Sequence, residues 1–111
     1  MHELAIMQSV ISIVEREAAR CGARRVESIR LRVGELSGIV PGCLEEFFPI
    51  AAAGTRSERA RLEIEPLGAR IECPDCGYEG APQGAECPRC GSSAFRLVAG
   101  REFFVESMEV E

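Results

Sequence analysis

Two Cys-x-x-Cys pairs constrain this chain more than any other feature. They read Cys73-Pro-Asp-Cys76-Gly77 and Cys87-Pro-Arg-Cys90-Gly91, with ten residues between Cys76 and Cys87. Two residues between thiols let one tight turn present both sulfurs to a single ion, and two such turns facing each other make a tetrahedral four-sulfur site. The glycine after each pair lets the backbone fold back and aim amides at sulfur. Soft thiolates select Zn2+, which carries no redox liability; iron is the competing ion. Four protein ligands close the coordination sphere, so the zinc would be structural and would not catalyse. The remaining alternative is a pair of redox-active dithiols, but no redox-domain context surrounds either pair.

The chain around these pairs has a different composition. Residues 72–92 hold four cysteines, prolines beside cysteines and several glycines, with almost no large aliphatic side chains. Such a segment cannot bury enough apolar surface to order itself, and a bound ion must do so. The rest of the 111 residues is patterned for a core. Leu4, Met7, Ile11, Val14 and Ala18 recur at helical spacing over residues 4–20, widened by Ile6, Val10 and Ile13, and Gly22 is placed to end that helix. Residues 26–33 alternate, with Ile29, Leu31 and Val33 on one face and Arg30 and Arg32 on the other. Pro41 opens a second helix whose inner face is read as Leu44, Phe47, Phe48 and Ala51, stopped at Gly54-Thr55. Residues 60–66 alternate again with Leu62 and Ile64 inward. A last strand covers 102–110, where Phe103-Phe104 leaves the inward face open. The expected fold class is α+β, with two helices, three strands and a cysteine insert. The expected division is 1–70 plus 101–111 for the helix–strand domain and 71–100 for the zinc ribbon.

Charge narrows the function. The formal net charge is −5, which repels phosphate backbones and argues against a general nucleic-acid binder. No apolar run approaches the roughly 20 residues of a membrane helix. The first residues lack the basic region of a secretory signal, so the expected location is cytoplasmic, where six cysteines read as metal ligands or free thiols rather than disulfides. Cys21 reads as a helix-end residue and Cys43 as a small residue of the second helix.

His2 is the only histidine. A Cys-His or Ser-His dyad therefore cannot form without position 2. At a chain end, a free Met1 amine, the backbone nitrogen and imidazole of His2, and the nitrogen and carboxylate of Glu3 would lie within one short segment. Nickel(II) and copper(II) favour square-planar or tetragonal sets of such nitrogen and oxygen donors. A site of this kind is open on its faces, so the ion can be handed on.

With the Met1-His2-Glu3-Leu4 start and the double Cys-x-x-Cys together, the chain resembles the HypA/HybF family of hydrogenase-maturation nickel metallochaperones. The resemblance extends through Ile29-Arg-Leu-Arg-Val33-Gly-Glu-Leu36, Gly54-Thr55, Leu62-Glu-Ile64 and the acidic last strand. It implies two helices packed on a three-stranded sheet, with a zinc ribbon inserted before the last strand. It implies nickel ligands at His2 and nearby backbone nitrogens, with Glu3 in support. It also implies transported Ni2+ beside structural Zn2+, and as partners a HypB-type GTPase and the [NiFe]-hydrogenase large-subunit precursor, with urease accessory proteins served by some relatives. No histidine flanks the cysteine pairs here, so zinc cannot exchange Cys for His unless His2 reaches the ribbon.

Three function classes follow. A metallochaperone, not an enzyme, has two different metal sites and transient protein partners. A zinc-ribbon module for protein or nucleic acid would rely on Arg70, Arg89 and Tyr78, but Glu72, Asp75, Glu79 and Glu86 make the ribbon acidic. A zinc hydrolase needs an open coordination position and a general base, and the cysteine site offers neither.

Overall fold

The computed structural model describes residues 2–111. Helix α1 spans Glu3–Arg20 and buries Met7, Val10, Ile11, Val14 and Ala18 of the expected stripe, whereas Leu4 and Ile6 are half-buried and Ile13, read as widening the stripe, is 51% exposed. Its C-terminal carbonyls are closed by the amides of Cys21 and Gly22. Strand β1 (Val26–Gly34) turns Ile29 and Leu31 into the same core, both fully buried. Helix α2 (Pro41–Ala52) starts on proline, whose missing amide costs nothing in a first turn. It buries Leu44, Phe48 and Ala52 at four-residue steps, whereas Phe47 and Ala51 are half-buried on its flank. The inner face is thus rotated from the expected one: a strict four-residue row reaches Ala52, and Phe47 falls beside it.

Strand β2 (Arg61–Leu67) pairs parallel to β1 with Leu62 opposite Ile29 and Ile64 opposite Leu31. The last strand of the chain, Phe103–Val110, pairs antiparallel to β1, setting Val105 opposite Leu31 and Phe103 opposite Val33. That pairing settles the Phe103-Phe104 ambiguity. Phe103 packs on the core, and Phe104 is 45% exposed. Each fully buried aliphatic side chain contributes about 1.5–3 kcal/mol, so β1, packed from both sides, anchors this unit. The opposite sheet face is charged, with Arg30 paired to Glu63 at 3.3 Å and Arg32 to Glu106 at 3.5 Å.

A second sheet was not legible as strands. It consists of β3 (Arg70–Glu72), β4 (Glu79–Gly80) and β5 (Arg96–Ala99), in the order β4-β3-β5, which makes Phe103–Val110 the sixth strand, β6. Its pieces are two to four residues long, too short for alternation to register. Its interior is Ala69, Ile71, Cys73 and Cys87, separate from the helix–sheet core. The Cα radius of gyration is 17.5 Å, against about 13 Å for one compact globule of this length, as two lobes placed end to end require.

The lobes meet at the C-terminal end of β1. A Cβ on Gly34 would fall 2.3 Å from the Gly100 carbonyl oxygen, so only glycine admits the approach. The Leu36 amide donates to that same Gly100 oxygen at 2.6 Å, and the Gly34 amide to Glu102 at 2.7 Å. The Glu35 carboxylate accepts the Ala69 amide at 3.0 Å. Both linkers to the second sheet are thereby fastened to the end of β1.

Candidate metal centres

The four sequence-predicted thiols come together. The Sγ atoms of Cys73, Cys76, Cys87 and Cys90 all lie within 4.8 Å of one another. Cys73 and Cys90 are 3.7 Å apart, as are Cys76 and Cys87. Sulfurs arranged tetrahedrally about 2.3 Å from one ion stand about 3.8 Å apart, so the cluster has the size that zinc requires.

Local chemistry builds the two turns alike. The Gly77 amide donates to the Cys73 carbonyl and the Gly91 amide to the Cys87 carbonyl, both at 2.8 Å. The Cys73 amide donates to Tyr78 and the Cys87 amide to Ser92, again at 2.8 Å. Gly77 and Gly91 sit at φ +79° and +76°, the left-handed region that glycine enters without strain. Two further ties escaped the sequence reading. Ser92 Oγ donates to the Asp75 carboxylate, joining one turn to the other. Arg96 donates to Glu72 at 2.7 Å between β5 and β3. Both span many residues, and only the pairing of the turns brings them together.

The thiols cannot ionise independently. Burial pushes the Cys87 thiol up, but the amides of Cys90 and Arg89 and the Cys76 and Cys73 sulfhydryls outweigh it and bring Cys87 down to about 7. Cys90 receives the Ser92 amide, yet burial and the other three sulfurs drive it up to about 12. Burial also raises Cys76. One thiolate therefore forms readily and the next are resisted by crowded negative charge, the condition a dication relieves. The donor set fits Zn2+ in number, softness and spacing.

His2 lies elsewhere. It occupies the residue before α1, is exposed, and accepts the Ile6 amide on its carbonyl at 3.1 Å. Its imidazole makes no capping hydrogen bond, so the fold does not consume it. Glu3 follows as the first helical residue and is half-buried. Met1, the third expected donor through its amine, lies outside the described residues. Among the described residues, the four cysteines form the one group of three or more metal-binding side chains, and His2 and Glu3 are not in it. Cys21 caps the end of α1 and Cys43 lies in α2, both apart from the cluster. Among the described residues, no helix is long and apolar enough to cross a membrane.

Comparison with known proteins agrees with this geometry. A family model described as hydrogenase/urease nickel incorporation, metallochaperone, hypA matches residues 1–110. The hydrogenase maturation factor HypA of Geobacter metallireducens is 43% identical over 113 residues, covering 100% of both chains. That of Roseiflexus is 41% identical over 114 residues, covering 100% of this chain and 93% of its own. The solution structure of the Ni metallochaperone HypA from Helicobacter pylori aligns with a TM-score of 0.71 at 24% identity, over 99% of this chain and 97% of that one. A second HypA solution structure gives 0.76 at 24% identity, over 100% and 97%. At that identity the two structures speak to the fold, which they share with this chain. The α+β architecture expected from the resemblance is the one observed, and the whole-chain match decides the rest: this chain belongs to the HypA family of nickel-incorporation metallochaperones for hydrogenase and urease.

Proposed function

We propose that the chain captures Ni2+ at its N-terminus, through the His2 imidazole and backbone nitrogen with Glu3 and the Met1 amine, and hands it to the large-subunit precursor of a [NiFe]-hydrogenase. One observation carries this reading. The four-thiol cluster supplies a full ligand set for one ion and leaves no position for a cargo metal, while the only imidazole of the chain stands exposed and uncommitted outside that cluster. A nitrogen and oxygen set at a helix start suits Ni2+, and the absence of an enclosing wall suits release.

Cys73, Cys76, Cys87 and Cys90 are the zinc ligands in this proposal. Zinc, when bound, cross-links the two turns and folds the second lobe. The chain's own residues do the rest: the Tyr78, Arg89, Cys90 and Ser92 amides bear on the sulfurs, and Asp75 and Ser92 lock the turns together. The helix–sheet lobe, 1–70 plus 101–111, and the ribbon, 71–100, act as separate folding units, the ribbon serving as a rigid docking surface. The protein is a cytoplasmic carrier and not a catalyst, working with a HypB-type GTPase. Transfer is a ligand exchange in which softer acceptor thiolates displace the nitrogen donors, with no change of oxidation state. In relatives serving urease, the same exchange would be directed to urease accessory proteins.

The test is a calorimetric titration of Ni2+ into zinc-loaded protein with its native N-terminus, beside a His2→Ala sample. One equivalent bound by the first and none by the second supports the reading. Equal binding by both removes it.

A further inference from the structure

At the other end of β1 from the ribbon, the loops α1–β1 and α2–β2 enclose an open cleft of about 490 Å³. Its walls carry Arg24, Arg25, Arg56, Arg59 and Arg61, five of the thirteen basic residues of a chain that contains no lysine and is acidic overall. The carboxylates of the lining are Glu27 and Glu58. One of the five guanidiniums is structural. Arg56 donates to the Ala23 carbonyl at 3.0 Å and to Glu15 at 2.8 Å, and its own carbonyl accepts the Val26 amide at 2.9 Å, so it welds the two loops together. The other four reach into solvent. Among the described residues Arg59 has no ion-pair partner. Arg61 meets Glu63 at 3.4 Å and Glu109 at 3.9 Å, contacts that leave most of its donors to water. Arg24 and Arg25 share the Glu111 carboxylate, and Arg25 also stands 4.0 Å from that of Glu27.

The Glu111 contact shows what the rim accepts. Its backbone adds to the loop as a strand does: the Arg24 amide donates to its carbonyl at 2.7 Å, and its own amide donates to Arg25 at 2.9 Å. Its carboxylate then takes both Arg25 Nε at 3.0 Å and Arg24 at 3.4 Å. An acidic residue in extended chain, held by backbone bonds and guanidiniums together, is already seated at this edge. Arg59 and Arg61 offer the same chemistry beside it with no comparable occupant. The lining has no aromatic side chain to stack a nucleobase.

We propose that this cleft docks an acidic, extended segment of a partner protein, with carboxylates of the segment on Arg59, Arg61 and Arg24. Charge complementarity is the argument: on an acidic chain this is the place where an Asp/Glu-rich segment meets convergent guanidiniums, which bind carboxylates in bidentate fashion. The site goes beyond nickel capture, because none of its residues is a nickel donor. It also leaves the ribbon free, since the eight steps of β1 put about 26 Å between Val26 and Gly34.

The test uses zinc-loaded full-length protein and a fluorescein-labelled octaglutamate peptide, followed by anisotropy at low salt. The Arg59→Glu, Arg61→Glu double variant should bind about tenfold more weakly or worse, while the Arg70→Glu, Arg89→Glu double variant, an equal charge change at exposed positions of the ribbon, should bind as the parent does. Circular dichroism and zinc content check folding, and the single Arg59→Glu variant replaces the double if that fails to fold. Equal weakening by the Arg70→Glu, Arg89→Glu variant would reduce the effect to bulk charge and overturn the proposal. No binding by the parent would overturn it too. Displacement of the peptide by inorganic phosphate or ATP at concentrations where free glutamate does nothing would make this a phosphate site instead.

Discussion

The two lobes are stabilised by opposite means. In the helix–sheet lobe, thirteen buried side chains from α1, β1, α2 and the α1–β1 loop form one cluster, and no metal is needed to account for its order. In the ribbon, Ile71 is the one large aliphatic side chain that is fully buried, and the remainder of the interior is small residues and sulfur. The difference teaches how a short insert can keep a fixed shape: four clustered thiols suited to zinc stand where the apolar area is lacking, and sulfur–metal bonds would replace it. The division leaves each lobe with an interior of its own, so a change in one need not pass through the other.

The largest effect should come from zinc. Structural zinc sites contribute on the order of 10 kcal/mol, most of it folding energy. Chelation, or Cys73→Ala, should abolish amide-exchange protection across residues 70–99 while β1, β2 and both helices keep theirs. Simultaneous loss in both lobes would show a single cooperative unit rather than two separately stabilised lobes.

The converse is a cavity in the aliphatic lobe. Leu31 is fully buried, opposite Ile64 of β2 on one side and Val105 of β6 on the other. Leu31→Ala should cost about 2–5 kcal/mol of stability in that lobe, read by chemical denaturation, with zinc still bound at one equivalent per folded chain. Loss of zinc in the native protein would tie the ribbon to the core more tightly than the separate clusters suggest.

The junction should respond less, but in both lobes. Gly34→Ala drives a methyl group to 2.3 Å from the Gly100 oxygen and 2.8 Å from that of Glu102. Relief of such an overlap costs about 1–3 kcal/mol. Backbone chemical shifts should move on both linkers, 67–70 and 99–102. If only β1 responded, the contact would not join the lobes.

What sequence reveals here follows from the range of each interaction. The stripe of α1 and the alternation of β1 are local periodicities, and they name eight of the core cluster's buried side chains, leaving Ala23, Val26 and the row of α2 to other signals. The cysteine turns are local as well, which is why the ligand set is legible down to the residue. Phe104 was undecidable because adjacent phenylalanines break the alternation, and pairing with Arg32 of β1 fixes it. Strands of two to four residues carry no period to detect. The Gly34–Gly100 approach and the Arg56–Glu15 weld join segments 66 and 41 positions apart, so no local window contains them. For nickel the limit is different. His2 could be named from its place beside Met1 and Glu3 and from the family resemblance, but its imidazole makes no capping hydrogen bond in the structure, so no long-range contact marks it.

The smallest predicted effect separates charge pairing from both other forces. The Arg25 guanidinium bonded to Glu111 holds that carboxyl below the usual carboxylate range. A carboxyl lowered in the folded state contributes stability that is fully present above its unfolded value, about 4.3, and is lost as pH falls through the folded one. Acid also strips zinc from thiolates, so the measurement belongs on the zinc-free protein, following the helix–sheet lobe alone. Thermal unfolding of that lobe should steepen its loss of stability below about pH 4, and Glu111→Gln should flatten that limb by a small amount. The pair is solvent-exposed, at 61% and 42% for the two side chains, so high salt should erase the difference. A difference that survived high salt would mean that the Glu111 side chain acts through its short hydrogen bonds to Arg25 and Arg24, which salt does not screen, rather than through longer-range charge. The edge of the arginine cleft would then be held by directed bonds, as the rest of the sheet is.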